Sequence, residues 1–399
     1  MNQVNEFDFI LAGGGLSGLS LLYEILSTPS LSEKRILIID SERRLTNDRT
    51  WSFWELPEYH IPNIPSKQWR YGKLIDQAGS SINFNFEPFT YRTIRSSDYY
   101  KFVYDHAANK DNIVFYYDNI VSCDPSGIVK CSNAVFTGKL IIKSYYDRDK
   151  FQIPSVLGST LIWQHFKGWI IRTTKEVFDE NTVVLMDYRI AHGDETQFMY
   201  VLPFSKTEAL VEYTEFTNRD FKLVDSDGYI RNYIEGYLSI SDYQIMEQEL
   251  NSIPMTDYIF TPLINNRVIN IGTNAGYVKP SSGYCFVRTI LRVRNLVSLL
   301  QTNELTNNKM KPKFTFWLFD SILLKSFSIG ILRGQDVFVQ LFRSHNKNNQ
   351  AFLVFKFLDE RTSFIENFKI IYSVPKKLSL TYLFFKGLVS GEYLKKFFL

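Results

Sequence analysis

Hydrophobic positions open the chain in three successive rhythms. Phe7 to Ala12 is a short, almost unbroken apolar run, which predicts a buried strand. Leu16, Leu19, Leu22, Tyr23 and Leu26 then recur at helical spacing, and Thr28-Pro29-Ser30 breaks that helix. Arg35 to Asp40 is a second apolar run of strand length. Strand, glycine turn, helix and strand in this order make one β-α-β unit of the dinucleotide type. Residues 51–95 mix proline, aromatics and short alternating runs, predicting an excursion of β-ribbon. Ser97–Asn109 reads as a helix capped by Ser96 or Ser97, and residues 113–142 as a β-meander turning at Ser126-Gly127. Strands dominate from Leu161 to Tyr213, with a hairpin joining Phe198–Phe204 to Ala209–Thr214. Val268–Gly272 is another buried strand that ends in a second glycine turn, and a helix is expected from about Tyr284 to Gln301. Asn303–Lys313 is the most linker-like segment. From Phe314 onward the period is helical, interrupted at Gly330 and Gly334.

Composition narrows the class. A length of 399 residues suggests two or three domains or one discontinuous fold. With 45% hydrophobic and 22% charged residues, general disorder is excluded. A net charge of +3 gives no electrostatic case for nucleic acid. Three cysteines, Cys123, Cys131 and Cys285, cannot build a disulfide framework or a Cys-rich zinc site, which fits a reducing compartment. The five histidines show no metal spacing, so no metal is expected. The aromatic fraction of 16%, with 33 Phe, exceeds what a core needs and points to a large apolar ligand or a membrane surface. No apolar run is long enough for a spanning helix, and the N-terminus lacks the basic n-region of a signal peptide. From Lys311 to Leu399 there are 14 Lys and Arg against 6 Asp and Glu. That basic, aromatic quarter predicts peripheral binding to an anionic membrane, on the cytoplasmic side of the cell membrane.

Gly13-x-Gly15-x-x-Gly18 stands where a dinucleotide fingerprint must stand. The first glycine makes the turn, the second lets backbone approach a pyrophosphate, and the third lets helix and strand pack closely. Asp40 ends the second strand, placed to accept from ribose hydroxyls. The fingerprint alone does not separate FAD from NAD. The later segment Gly272 to Tyr284, with Gly283 beside Tyr284, ends one strand and begins a helix. Two such turns resemble FAD-dependent proteins of the glutathione-reductase and hydroxylase type, although an ordinary helix start after Pro280 fits the later segment equally well.

Further segments sharpen the resemblance. Gly-Gly-Gly-Leu-Ser-Gly18, Thr50-Trp-Ser-Phe53, Leu202-Pro-Phe-Ser205 before Leu210-Val-Glu-Tyr-Thr214, Ile253-Pro254, Gly272 to Tyr284, and Phe357-Leu-Asp-Glu-Arg361 occur in order. The chain resembles, from residue 7 to about 385, the flavoprotein lycopene cyclases of bacteria, relatives of the plant lycopene β-cyclases. The resemblance implies an α/β (α+β) fold: a Rossmann-type FAD-binding domain from residues 1–60, 96–155 and 262–302, with 61–95 and 156–261 forming an inserted β-sheet substrate domain. Residues 303–399 would be a helical, membrane-contacting region, with Phe314–Leu324 and Pro375–Leu399 (Lys376, Lys377, Lys386, Lys395 and Lys396) at the bilayer.

The implied reaction turns lycopene, or a related acyclic carotenoid, into γ-carotene and then β-carotene. Protonation at C2 leaves a cation at C1, the C5=C6 bond attacks it, and loss of the C6 proton completes a β-ring. The family further implies that FAD acts in its reduced form, with NAD(P)H as an electron source, although nothing is oxidised overall. Glu212 occupies the family's glutamate position. Strand alternation puts Leu210, Glu212 and Thr214 on one face, which is compatible either with a solvated carboxylate or with an acid facing an apolar tunnel. Asp187 and Arg189 match a family Asp-x-Arg segment, as a structural pair or a catalytic one. Trp51 and Phe53 match an aromatic segment that would line the substrate and stabilise a cation. A flavin monooxygenase, a prenyl-lipid reductase and a carotenoid-binding protein are the rival readings. The ring type, the number of ends cyclised and the oligomeric state are not legible.

Overall fold

The computed structural model describes residues 6–146, 151, 153, 159–193, 195–218, 226–347, 349–375, 381, 384 and 387. The strand Glu6–Ala12 pairs in parallel with Ile36–Asp40 on one side and Val135–Lys143 on the other. Its apolar run is unbroken because both faces of the sheet are covered. Leu11, Ile36 and Ile38 face a cluster shared with the helices Leu16–Leu26, Ser96–Ala107 and Phe286–Thr302. Ile10, Leu37 and Ile39 meet Val129 and Ile141 on the far side. Among the described residues the sheet has eight strands, and Val268–Asn270 joins it next to Val135–Lys143, one strand away from Glu6–Ala12.

The segment expected as one meander divides. Ile113–Tyr117 lies parallel to Ile36–Asp40 over five consecutive residue pairs, so it is a further strand of the central sheet. Only Ile120–Asp124, Ile128–Cys131 and the start of Val135–Lys143 run antiparallel.

The ribbon between residues 50 and 95 also divides. Thr50–Glu55, Lys67–Trp69 and Thr90–Arg95 form a small antiparallel sheet, while Tyr71–Ile75 and Ser81–Asn85 join a second large sheet. That seven-stranded sheet runs in the order Tyr243–Thr256, Leu161–Thr173, Glu208–Thr217, Thr196–Pro203, Thr182–Asp187, Tyr71–Ile75, Ser81–Asn85. One face packs Tyr200, Leu202, Leu210 and Phe216 against the C-terminal helices. The other packs Met199, Val201, Val211 and Tyr213 against Ile230, Tyr233 and Ile234.

The C-terminal region contains helices Phe314–Ser328, Gly334–Asn346, Phe352–Leu358 and Phe364–Ser373. The interruption expected at glycine is present, with Gly330 at φ +70°. A buried ionic cluster fastens this region to the rest: Lys279 Nζ lies 2.7 Å from Asp320 and 3.1 Å from Glu360, which also pairs with Arg288. Beside it, Asp359 accepts from Trp54 Nε1 at 2.8 Å and from the Tyr59 hydroxyl at 2.5 Å.

One expected membrane segment has a different placement. Phe316, Trp317, Leu318 and Leu324 are buried, so the helix Phe314–Ser328 packs inward. Lys376, Lys377, Lys386, Lys395 and Lys396 lie outside the described residues. The exposed apolar face belongs instead to the helix Phe364–Ser373, where Phe364, Ile365, Phe368 and Tyr372 are each at least 66% exposed. Among the described residues, no helix is long and apolar enough to cross a membrane.

Candidate active site

The two glycine turns, far apart in sequence, meet in space. Gly13 has φ +118°, and a Cβ on Gly18 would come within 2.0 Å of the Gly13 carbonyl oxygen, so that crossing tolerates no side chain. Around Gly15 there is open space, and no side chain caps the following helix Leu16–Leu26. The uncapped N–H groups therefore point to the open side of the turn, where an anion is favoured. Asp40 accepts from the Gly14 N–H at 2.7 Å and from Arg44 Nε at 3.2 Å, which fixes its carboxylate beneath the turn. The late turn packs directly on this site: a Cβ on Gly272 would meet Ser17 Oγ at 2.9 Å.

From that junction the chain leads into a cavity of roughly 140 Å³ between the seven-stranded sheet, the strand Thr50–Glu55 and the C-terminal helices. Ser282, Gly283 and Tyr284 form one wall. Gln164 Oε1 and Ser282 Oγ are buried here without a hydrogen-bond partner. Such atoms are rare unless a bound group satisfies them. A polar, planar group lying between the helix start and the sheet fits these donors and acceptors, so the residues present suit a dinucleotide with a ring system at this end.

Glu212 projects into the same cavity from the strand Glu208–Thr217, with Leu210 and Thr214 beside it as alternation requires. It is the one carboxyl among the described residues that line the cavity. Burial pushes its pKa well above the ordinary carboxylate range, and the facing Glu249 carboxyl adds repulsion and a shared hydrogen bond. The Thr214 hydroxyl, 3.1 Å from Glu212 Oε1, pulls the other way. Burial also raises Glu249, which is held by the Thr50 N–H at 3.1 Å. Of the two, Glu212 is the side that keeps the proton.

Tyrosine hydroxyls continue the polar lining. Tyr200 stands opposite Glu212 in the neighbouring strand, its hydroxyl bonded to that of Tyr91, which in turn lies 3.0 Å from Tyr284 Oη. Burial raises all three, Tyr284 to about 12, so they are neutral donors. Phe166, Phe198, Phe216, Phe338 and Phe342 complete an aromatic wall. A neutral acid facing aromatic π-faces, with no Lys or Arg among the described residues of the lining, is equipped to protonate an apolar molecule and to tolerate a cation.

A family model described as lycopene cyclase protein matches residues 8–383. The chain belongs to the lycopene cyclase family.

Relatives within and around this cyclase family are distant. The lycopene beta cyclase of Solanum lycopersicum is 30% identical over 134 residues, covering 31% of this chain and 26% of that protein. The capsanthin/capsorubin synthase of Citrus sinensis is 23% identical over 311 residues, covering 71% of this chain and 58% of that one. The matched stretches thus span a quarter to somewhat over half of these plant proteins. Among solved structures, a geranylgeranyl bacteriochlorophyll reductase-like protein from Thermoplasma acidophilum superposes with TM-score 0.66 at 11% identity, covering 95% of this chain and 99% of that one. A flavoprotein/dehydrogenase from Cytophaga hutchinsonii gives 0.63 at 12% identity, with coverage of 96% and 100%. The chain therefore has the α/β Rossmann-type fold of flavoproteins, with sheets and C-terminal helices.

Not every expected site residue comes to the cavity. Asp187 and Arg189 lie on the opposite face of the seven-stranded sheet from Glu212. Arg189 contacts the Asp187 carboxylate at 2.9 and 2.5 Å, and the Tyr233 hydroxyl donates to it at 2.7 Å. A register irregularity between Val184 and Asp187 breaks the alternation here, so Leu185 and Met186 both line the cavity and Asp187 turns away. Phe53 is likewise turned away, its ring stacked on Phe286 at 4.5 Å in the core of the first domain. Trp51 packs on Tyr99, Tyr100 and Phe286 and reaches the cavity from that side. The strand's even-numbered residues, Thr50, Ser52 and Trp54, face the cavity, so Trp54 is the aromatic that sequence reasoning missed. Glu249 was missed too. Its one sequence signal is its place four residues before Ile253-Pro254.

Proposed function

We propose that this chain is a lycopene β-cyclase that uses Glu212 as its proton donor and requires FAD in the reduced form. The observation carrying the proposal is the Glu212 carboxyl, its pKa pushed up by burial and by the facing Glu249, in an aromatic cavity that opens beside Gly283 and Tyr284. The turn Gly13–Gly18 would hold the pyrophosphate and Asp40 the adenosine ribose. Gly272, Gly283 and Tyr284 would lie along the ring end. When bound and reduced, FAD supplies negative charge next to the reacting end group, and NAD(P)H is the proposed source of its electrons.

Within the chain, the cavity wall orients a ψ-end group so that its terminal double bond meets Glu212. The acid gives its proton to C2, and a tertiary cation forms at C1. Tyr200, Trp54 and the phenylalanines present π-faces and keep water out, so the cation is closed by the C5=C6 bond instead of being hydrolysed. Loss of the C6 proton to the vacated carboxylate completes the ring. Atoms and electrons balance, since the product is an isomer.

The substrate is insoluble in water, so the cavity must be fed from a bilayer. The exposed face of Phe364, Ile365, Phe368 and Tyr372 is the proposed contact, with the basic C-terminal quarter attracting anionic lipid. The helix carrying it packs on Phe352–Leu358, whose Phe355 and Leu358 line the cavity. Phe364→Ser with Phe368→Ser should lower flotation with anionic liposomes while flavin binding is retained. Unchanged flotation would remove this helix from the account.

Expression in lycopene-accumulating bacteria tests the function. Pigment of unchanged mass carrying β-rings is expected; a mass gain of oxygen or hydrogen would identify a monooxygenase or reductase instead.

A further inference from the structure

Glu212 and Glu249 meet although their strands do not. Between Glu208–Thr217 and Tyr243–Thr256 runs the strand Leu161–Thr173. Strands two apart are separated by roughly 9.5 Å, so two side chains over that gap normally meet the residue between them. Here that residue is Gly168, paired with Glu212 on one side and with Glu249 on the other. The three form one row across the sheet.

The backbone at 168 does not demand glycine, because its φ is outside the positive range in which glycine is favoured. The space does. A Cβ there would lie 2.8 Å from Leu210 Cδ1, 3.2 Å from Glu249 Cγ and 3.3 Å from Glu249 Oε1. Any side chain would occupy the volume through which the two carboxyl groups reach each other. Glycine inside a strand weakens it, so a structural gain must offset the loss.

We infer that Glu249 is a positioning residue forming, with Glu212, a site of two carboxyls and one proton, assembled through the window at Gly168. The inference rests on the proposed acid role of Glu212. Glu249 does not line the cavity and does not touch the substrate. The Thr50 N–H stabilises it as the charged member, and its charge holds the proton on Glu212. When the O–H bond of Glu212 breaks and the C–H bond at C2 forms, two carboxylates are left facing each other. Their repulsion drives recapture of a proton, so the C6–H bond breaks as the Glu212 O–H bond re-forms. No electrons change hands. The other titratable groups facing the pair are Tyr200 and Tyr284, together with Glu247, which is paired with Arg95. Among the described residues, no Lys or Arg lies within ion-pair distance of either carboxyl.

The test is the pH profile of cyclisation by the full-length, FAD-loaded protein in lycopene-containing liposomes. Activity needs protonated Glu212, so it falls as pH rises through the raised pKa. Glu249→Gln removes the repelling charge, and the alkaline limb should move down by about one pH unit or more, a loss of about tenfold at a fixed pH on that limb. Gly168→Ala keeps both carboxyls but closes the window, and should move the limb in the same direction. An unmoved limb in flavin-binding Glu249→Gln protein would overturn the inference. Glu212→Gln separates this from the underlying reading: if that variant still cyclises, the acid assignment itself fails; if it is inactive while Glu249→Gln is unshifted, only the pairing fails. Should Glu249→Gln not fold, infrared titration of the unsubstituted protein decides. A paired site shows the Glu212 C=O band, identified by its loss in Glu212→Gln, moving as the second carboxyl gains its proton. A single independent step contradicts the pair.

Discussion

Asp187 and Glu212 are acids on opposite faces of one sheet, both enclosed by protein, yet their surroundings prepare them for different tasks. Asp187 is 0% exposed and meets a guanidinium, a backbone N–H and a tyrosine hydroxyl, so every lone pair is used and the charge is balanced. Glu212 meets a second carboxyl, a threonine hydroxyl and aromatic rings, so its charge is opposed and its proton retained. Burial alone therefore does not mark a reactive acid. The partner does: a cation makes a structural carboxylate, and a second carboxyl makes a proton donor.

Replacing each acid by its amide separates the two faces most sharply. Glu212→Gln should lower cyclisation by about 10²- to 10⁴-fold, the range for loss of a general acid, with FAD still bound. Product formed per flavin-containing molecule is the readout, and near-normal turnover would erase the distinction. Asp187→Asn should do the reverse. It leaves Arg189 with a neutral partner and should cost about 2–3 kcal/mol in urea unfolding, with turnover per folded molecule retained. A large loss of turnover at full stability would bring Asp187 back into the chemistry.

A third acid, Glu360, extends the comparison through pH. Lys279 and Arg288 outweigh burial and hold Glu360 below the ordinary range, whereas Glu212 is held above it. A lowered folded pKa gives stability that is present above the unfolded pKa and lost as pH falls through the folded one. A raised folded pKa does the opposite, giving stability present at low pH and lost as pH rises toward the folded value. Glu360→Gln should therefore weaken the fold near neutrality and flatten its acid loss. Glu212→Gln should flatten the alkaline loss. Stability measured against pH for the two variants checks both signs.

The smallest expected effect is at Tyr200. Phenylalanine keeps the aromatic wall and removes one hydroxyl, so turnover should fall by less than about tenfold, the size of one neutral hydrogen bond.

The first β-α-β unit was legible because apolar period, glycine spacing and terminal acid all sit within residues 7–40. Glu212 was legible as one face of a strand, and its family position pointed to chemistry. What faces it was not, because Glu249 is reached across an intervening strand whose register the local pattern does not specify. Which residues of Thr50–Glu55 face the cavity was not legible for a related reason. Trp51, Phe53 and Trp54 are all large aromatics, so the strand does not alternate in polarity, and only packing on Phe286 shows which face is core. The helix Phe314–Ser328 looked like a membrane segment because burial in protein and burial in lipid select the same residues.

The central claim is a redox-neutral proton transfer from Glu212, and anaerobic turnover of lycopene by dithionite-reduced, FAD-loaded protein tests it most directly. Product mass and flavin absorbance are followed together, with Glu212→Gln in parallel. The account predicts a ring-containing isomer of lycopene, no stoichiometric oxidation of flavin, and no product from the variant. A product heavier by hydrogen with matching flavin oxidation, or full turnover by Glu212→Gln, would contradict it.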